Sequence, residues 1–140
     1  MTHEQIEFRL TMASDPRNVG KVETFLKKVN KAIRLDEIQF HKLMVSLTEA
    51  VNNAIIHGNK SDATKKVILK CEHLPGWLLL IIADQGKGFR LDLVANPLKK
   101  KNLMKESGRG IFLMRTLMDK VEFEQTPSGL EVRLWHALNK

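Results

Sequence analysis

The sequence predicts an α+β domain: a two-layer α/β sandwich in which helices cover one face of a mixed, mostly antiparallel sheet. Three observations lead there. Strand-like segments occur near both ends and in the middle of the chain. Two helical stretches separate the first strand from the second, and a third follows the central hairpin. Strands and helices therefore do not alternate strictly, which is the pattern of a sheet with its helices gathered on one side. The 140 residues fit a single domain, 1–140, long enough for one substantial core.

Each element has a local cause. Ile6, Phe8 and Leu10 alternate with polar residues, so 5–12 reads as a half-buried strand. Ser14-Asp15-Pro16 then supplies a cap and a first-turn proline for a helix over roughly 16–30, in which Val19, Val22, Phe25, Leu26 and Val29 share a face. Asp36 with Gln39 forms a capping-box pattern. From it a long amphipathic helix carries Phe40, Leu43, Met44, Leu47, Val51, Ala54 and Ile55 towards Gly58, the expected C-terminal glycine. Segments 65–73 and 77–84 flank Pro75-Gly76 and predict a hairpin. Residues 85–107 are rich in glycine and lysine and read as a long functional loop. A helix over about 109–119 follows, then strands near 120–125 and 130–137. Trp77, Trp135, Met114 and Met118 read as core packing residues.

Composition narrows the function classes. Hydrophobic residues make up 43% and charged ones 28%, too apolar for disorder and ordinary for a globular domain. No apolar run approaches the ~18–20 residues that span a bilayer, and residues 1–9 lack the apolar core of a secretory signal. A single cysteine, Cys71, has neither a disulfide partner nor a neighbouring cysteine for a metal site. The expected compartment is the cytoplasm. The net charge of +7 gathers around Lys27, Lys28 and Lys31, and around Lys99 to Lys101 with Lys105 and Arg109. It admits nucleic acid as a partner, but aromatics are only 6% and are not interleaved with the basic residues as single-strand readers require.

Three constellations carry chemistry. Glu49, Asn53 and His57 recur at one-turn spacing on the long helix, so they project from one face. A carboxylate beside a carboxamide oxygen suits a hard cation such as Mg²⁺, or the carboxylate accepts a proton from an attacking hydroxyl. Second, an apolar strand delivers Asp84 at its end, followed by Gly86 and Gly88, which let a ligand approach the backbone closely. Third, Ser107-Gly108-Arg109-Gly110 opens an apolar helix whose amides and dipole suit an anion. Alone, each also reads as something ordinary: a polar helix face, a turn, a capped helix start.

Together, in this order, the three resemble the Bergerat-type, histidine-kinase-like ATPases. The stretch Glu49-Ala50-Val51-Asn52-Asn53-Ala54-Ile55-Ile56-His57-Gly58-Asn59 is similar within that group to the anti-sigma regulatory factors of the serine-kinase type. The resemblance runs from about Ile6 to Leu134. It implies ATP and Mg²⁺ as cofactors, with Glu49 as the catalytic base and Asn53 on the metal. It further implies Asp84 on the adenine amino group, Gly86 and Gly88 shaping that pocket, and Ser107, Gly108, Arg109 and Gly110 around the phosphates. The loop at about 90–107 would be the ATP lid; His57 and Asn59 would line the pocket without a chemical role.

Phosphoryl transfer to a serine or threonine of an anti-anti-sigma antagonist is the implied reaction, with a sigma factor as the sequestered partner, no direct nucleic acid and no membrane. The resemblance also allows a homodimer. Many relatives carry Gly-Thr-Thr where this chain has Gly129-Leu130-Glu131, so a hydroxyl expected near the nucleotide is missing. A nucleotide-binding module that holds a partner without transferring phosphate therefore stands as the alternative.

Overall fold

The computed structural model describes residues 6–86 and 107–138. Five strands form one sheet: β1 (Ile6–Ala13), β2 (Lys66–Leu74), β3 (Trp77–Ala83), β4 (Lys120–Thr126) and β5 (Gly129–Ala137), in the order β1-β2-β3-β5-β4. Every pairing among them is antiparallel. Three helices, α1 (Lys21–Ile33), α2 (Glu37–Asn53) and α3 (Ser107–Leu117), complete the α+β architecture. Residues 87–106, which include Gly88, Lys99 to Lys101 and nearly all of the expected lid, lie outside the described residues, as do residues 1–5 and 139–140.

Strand register explains which face is buried. Phe8, Cys71, Leu80, Leu134 and Val121 form one cross-strand row, and Leu10, Leu69, Ile82, Val132 and Phe123 the next. Both rows join a core with Val22, Phe25, Leu26 and Val29 of α1 and with Leu43, Leu47, Ala50 and Val51 of α2. Each such side chain, fully buried, stabilises the fold by about 1.5–3 kcal/mol before the entropy of ordering is subtracted.

The helix ends differ from expectation in instructive ways. Asp15 accepts from Arg17 N at 2.9 Å, but the segment it caps is a 3-10 turn, Pro16–Gly20, and α1 begins only at Lys21. The Asp36–Gln39 capping box forms in both directions, at 2.7 and 3.2 Å. Beyond Asn53 the long helix widens into a π-helical turn, Ala54–Gly58, in which Asn59 N donates to Ala54 O at 2.8 Å. The left-handed residues that end it are Lys60 and Ser61, not Gly58.

The two tryptophans correct the sequence reading. Side chains alternate along a strand, and Trp77 and Leu79 point away from the helices, as does Trp135, which lies across from Leu79. The indoles meet edge to face on that outer surface, centroids 6.0 Å apart, and Trp77 stays 39% exposed. Trp135 Nε1 donates to Glu122 Oε1 at 2.6 Å. β3 is apolar on both faces, so its composition could not say which side its tryptophan would take. Met114 and Met118 are in the core as expected.

Burial pushes the Cys71 thiol up from 9.0 to about 12. At about pH 8 the folded protein should therefore resist an aromatic disulfide reagent that labels it fully in denaturant. The raised pKa also means that the unfolded chain releases its thiol proton first. Stability should fall as pH climbs from 9 toward about 12, with a shallower fall in Cys71→Ala, read by thermal melts.

Candidate functional site

α2 and α3 lie side by side, and the cleft between them brings together Glu49, Asn53, His57 and Arg109 of the expected residues, whereas Asp84 and Gly86 do not line it. Its volume is about 470 Å³, and Glu49, Asn52, Asn53, Ile56, His57, Arg109 and Leu113 line it. Helical spacing places the α2 members on one face, with the π turn carrying His57 onto the same side. Asn52 was not singled out from sequence, although it stands three residues from Glu49, a spacing that shares the face.

The contact between the helices is close because Gly110 has no side chain. A Cβ there would lie 2.8 Å from Glu49 Oε2 and 3.3 Å from Asn53 Nδ2. The first turn of α3 is thus set against the carboxylate and carboxamide of α2. That turn includes Ser107, Gly108 and Arg109, since α3 begins two residues earlier than the sequence suggested. The first turn of a helix carries the positive end of its dipole, so a ligand meeting this turn is favoured if it is an anion. Gly108 is buried and Arg109 exposed.

Asn53, 7% exposed, faces two ways. Besides the cleft it lines a narrow apolar crevice with Ala50, Ile111, Met114, Phe123, Leu130 and Val132. Leu130 connects that crevice to Asp84. Asp84 is 4% exposed, and its Oδ1 accepts from Gly86 N at 2.9 Å and from Leu130 N at 3.1 Å. Asp84 N donates in turn to Leu130 O at 3.0 Å. The carboxylate is held at the seam of β3 and β5, one wall away from Asn53.

Two further glycines make this seam possible. A Cβ on Gly86 would sit 2.0 Å from Gly58 O, so the turn after Asp84 packs directly on the π turn. Gly129 has φ +152° and a Cβ there would lie 1.9 Å from Asp84 O. In sequence Gly129 stood out only as the first residue of Gly129-Leu130-Glu131, which gave no sign of its contact with Asp84. Asn59, expected at the cavity wall, is instead buried behind it: Nδ2 donates to Ser14 Oγ and Lys66 O, and Oδ1 accepts from Gln85 N.

The donor set fits Mg-ATP. One carboxylate and one carboxamide suit a cation that takes its remaining ligands from water and phosphate. Among the described residues no cluster of three His, Cys, Asp or Glu offers an all-protein cage. The glycine-opened turn against Glu49 and Asn53 is a cradle that a single Cβ would fill. No described helix is long and apolar enough to cross a membrane.

Comparison with known proteins agrees with the fold. Residues 12–135 match the family model described as the histidine kinase-like ATPase domain. The chain is 33% identical to the anti-sigma F factor of Oceanobacillus iheyensis, over 96% of this chain and 94% of that protein. It is 29% identical to the serine-protein kinase RsbW of Bacillus licheniformis, over 89% of this chain and 81% of that protein. The crystal structure of the RsbU and RsbW domains of Rv1364c from Mycobacterium tuberculosis shares the fold, with a TM-score of 0.70 at 16% identity. That match covers 95% of this chain and 32% of the larger one.

Gly86→Ala and Gly129→Ala should each destabilise the protein by at least about 2 kcal/mol, because backbone, not a flexible side-chain tip, blocks the new methyl. Denaturant titration would show it as a lower midpoint at unchanged slope. Gly20→Ala, with nothing within 4 Å of its Cβ, should be tolerated.

Proposed function

This chain belongs to the histidine kinase-like ATPase domain family, alongside serine-protein kinase and anti-sigma-factor relatives, and from that premise we propose that it is an ATP-dependent serine/threonine protein kinase acting as an anti-sigma factor. The observation that carries the reading is Gly110 seated against Glu49 and Asn53. It brings an anion-seeking helix start onto a carboxylate and a carboxamide, the parts that phosphoryl transfer needs at one place.

When bound, Mg-ATP would supply the phosphoryl group, and the metal would offset the charge on its phosphates. Asn53 would hold the metal through its carboxamide oxygen. Glu49 would take the hydroxyl proton of a substrate serine as that oxygen bonds to the γ-phosphorus and ADP leaves. Gly108, Gly110 and the Arg109 guanidinium would hold the phosphates, and Ser107 opens the same turn. Asp84, whose Oδ1 accepts from two backbone amides, would read the adenine amino group with its carboxylate.

The substrate would be an antagonist of the anti-anti-sigma type, and a sigma factor the sequestered partner, both in the cytoplasm; a homodimer is the assembly we favour. A second reading, nucleotide-dependent partner binding without transfer, draws on Leu130. This position carries no hydroxyl, and its side chain is buried in the crevice.

Calorimetric titration with ATP should show Mg²⁺-dependent binding that weakens about tenfold or more in Asn53→Ala and in Asp84→Ala. Absence of binding to the folded protein would sink the proposal. Glu49→Ala should keep ATP binding and lose transfer of labelled phosphate by about 10²–10⁴-fold. Tight binding with no transfer to a cognate antagonist in the unaltered protein would favour the second reading. Gly110→Ala pushes on the flexible end of Glu49, so transfer should fall much more than the melting temperature.

A further inference from the structure

We propose that Asn59 is a positioning residue for nucleobase selection: its side-chain oxygen fixes the backbone of Gln85 and thereby aims Asp84. The inference rests on the reading of Asp84 as the group that meets the adenine amino group.

Asp84 leaves β3 where the ladder to β2 stops, at the Ile68–Ala83 pair. On the β5 side two hydrogen bonds with the Leu130 backbone hold it. On the β2 side its position depends on Gln85, the next residue. Asn59 Oδ1 accepts from Gln85 N at 2.7 Å, and Gln85 Oε1 accepts from Lys66 N at 2.6 Å. Asn59 Nδ2 donates to Lys66 O at 3.0 Å and to Ser14 Oγ at 2.7 Å. Ser14 Oγ donates onward to Lys65 O at 2.8 Å. Both peptide groups of Lys66 are thus gripped, one by each side chain.

The partners decide the orientation of the amide. A carbonyl at Lys66 can only accept and an N–H at Gln85 can only donate, so Nδ2 and Oδ1 are assigned without ambiguity. Asn59 is 1% exposed and Ser14 is 0% exposed, so bonds that are lost here are not replaced by bulk water. The clamp has two separable arms. Nδ2 anchors to β1 and β2 and serves the fold, whereas Oδ1 alone reaches the segment that carries Asp84.

The test compares the affinities of ATP and inosine triphosphate, whose base lacks the exocyclic amine. The unaltered protein should prefer ATP, and Asp84→Asn should erase the preference. Asn59→Ala should cut the ATP-to-inosine ratio by about tenfold, acting on ATP and leaving inosine triphosphate nearly unchanged. Ser14→Ala weakens only the anchoring arm, so it should lower the melting temperature and keep the ratio. Asn59→Asp keeps an acceptor for Gln85 N and should also keep the ratio while melting earlier; it carries the test if circular dichroism shows that Asn59→Ala does not fold.

No preference in the unaltered protein overturns the Asp84 reading, and this inference with it. A preference erased by Asp84→Asn but intact in Asn59→Ala overturns the Asn59 role alone. Equal loss in Ser14→Ala and Asn59→Ala, or loss in Asn59→Asp, would mean general loosening and also overturns it.

Discussion

A carboxylate taken out of water must be repaid with hydrogen bonds, and Asp84 is where this protein meets that demand. Burying an ionised group without partners costs several kcal/mol. Two backbone amides meet its Oδ1, from Gly86 and Leu130, and to arrive there the chain must bring the end of β3, the start of β5 and the turn after α2 together. Two of these approaches are closer than a side chain allows, so glycine stands at Gly86, against Gly58 O, and at Gly129, against Asp84 O. The sheet order follows the same logic, since β5 must lie directly beside β3 for Leu130 to reach Asp84.

Much of this was legible. Period-two and helical spacing reported the element order, and the Asp36–Gln39 box marked the start of α2 because capping is a local interaction between residues three apart. Glu49 and Asn53 were legible as neighbours for the same reason. What depends on distant partners was not. Nothing local to Asn59 says that its amide would meet Ser14, 45 residues away, and not a ligand. The helix end at Gly58 looked like a left-handed cap, whereas the left-handed residues are Lys60 and Ser61 and the Gly58 carbonyl lies where a Cβ on Gly86 would fall, which is a tertiary fact. The tryptophans went to the outer face because β3 is apolar on both sides, which removes the alternation that would have shown its orientation.

That outer face has a character of its own. The Trp77–Trp135 pair lies over the middle strands, while Arg133 is ion-paired with Glu131 and with Glu124 of the neighbouring strand. Glu122, its pKa lowered chiefly by the indole N–H of Trp135, stays ionised at neutral pH. The sheet therefore presents aromatic surface bordered by fixed charge on the side away from the helices, and the nucleotide chemistry proposed above is confined to the helical side.

The order β1-β2-β3-β5-β4 places a strand near the end of the chain in the interior of the sheet. A ribosome releases β1, β2, β3, β4 and the three described helices before β5 emerges. Until it does, β3 has an unpaired edge and Asp84 lacks the Leu130 amide. Vectorial synthesis thus cannot deliver a finished half of this sheet. The carboxylate and its turn therefore gain their hydrogen bond from Leu130 only once β5 has docked beside β3.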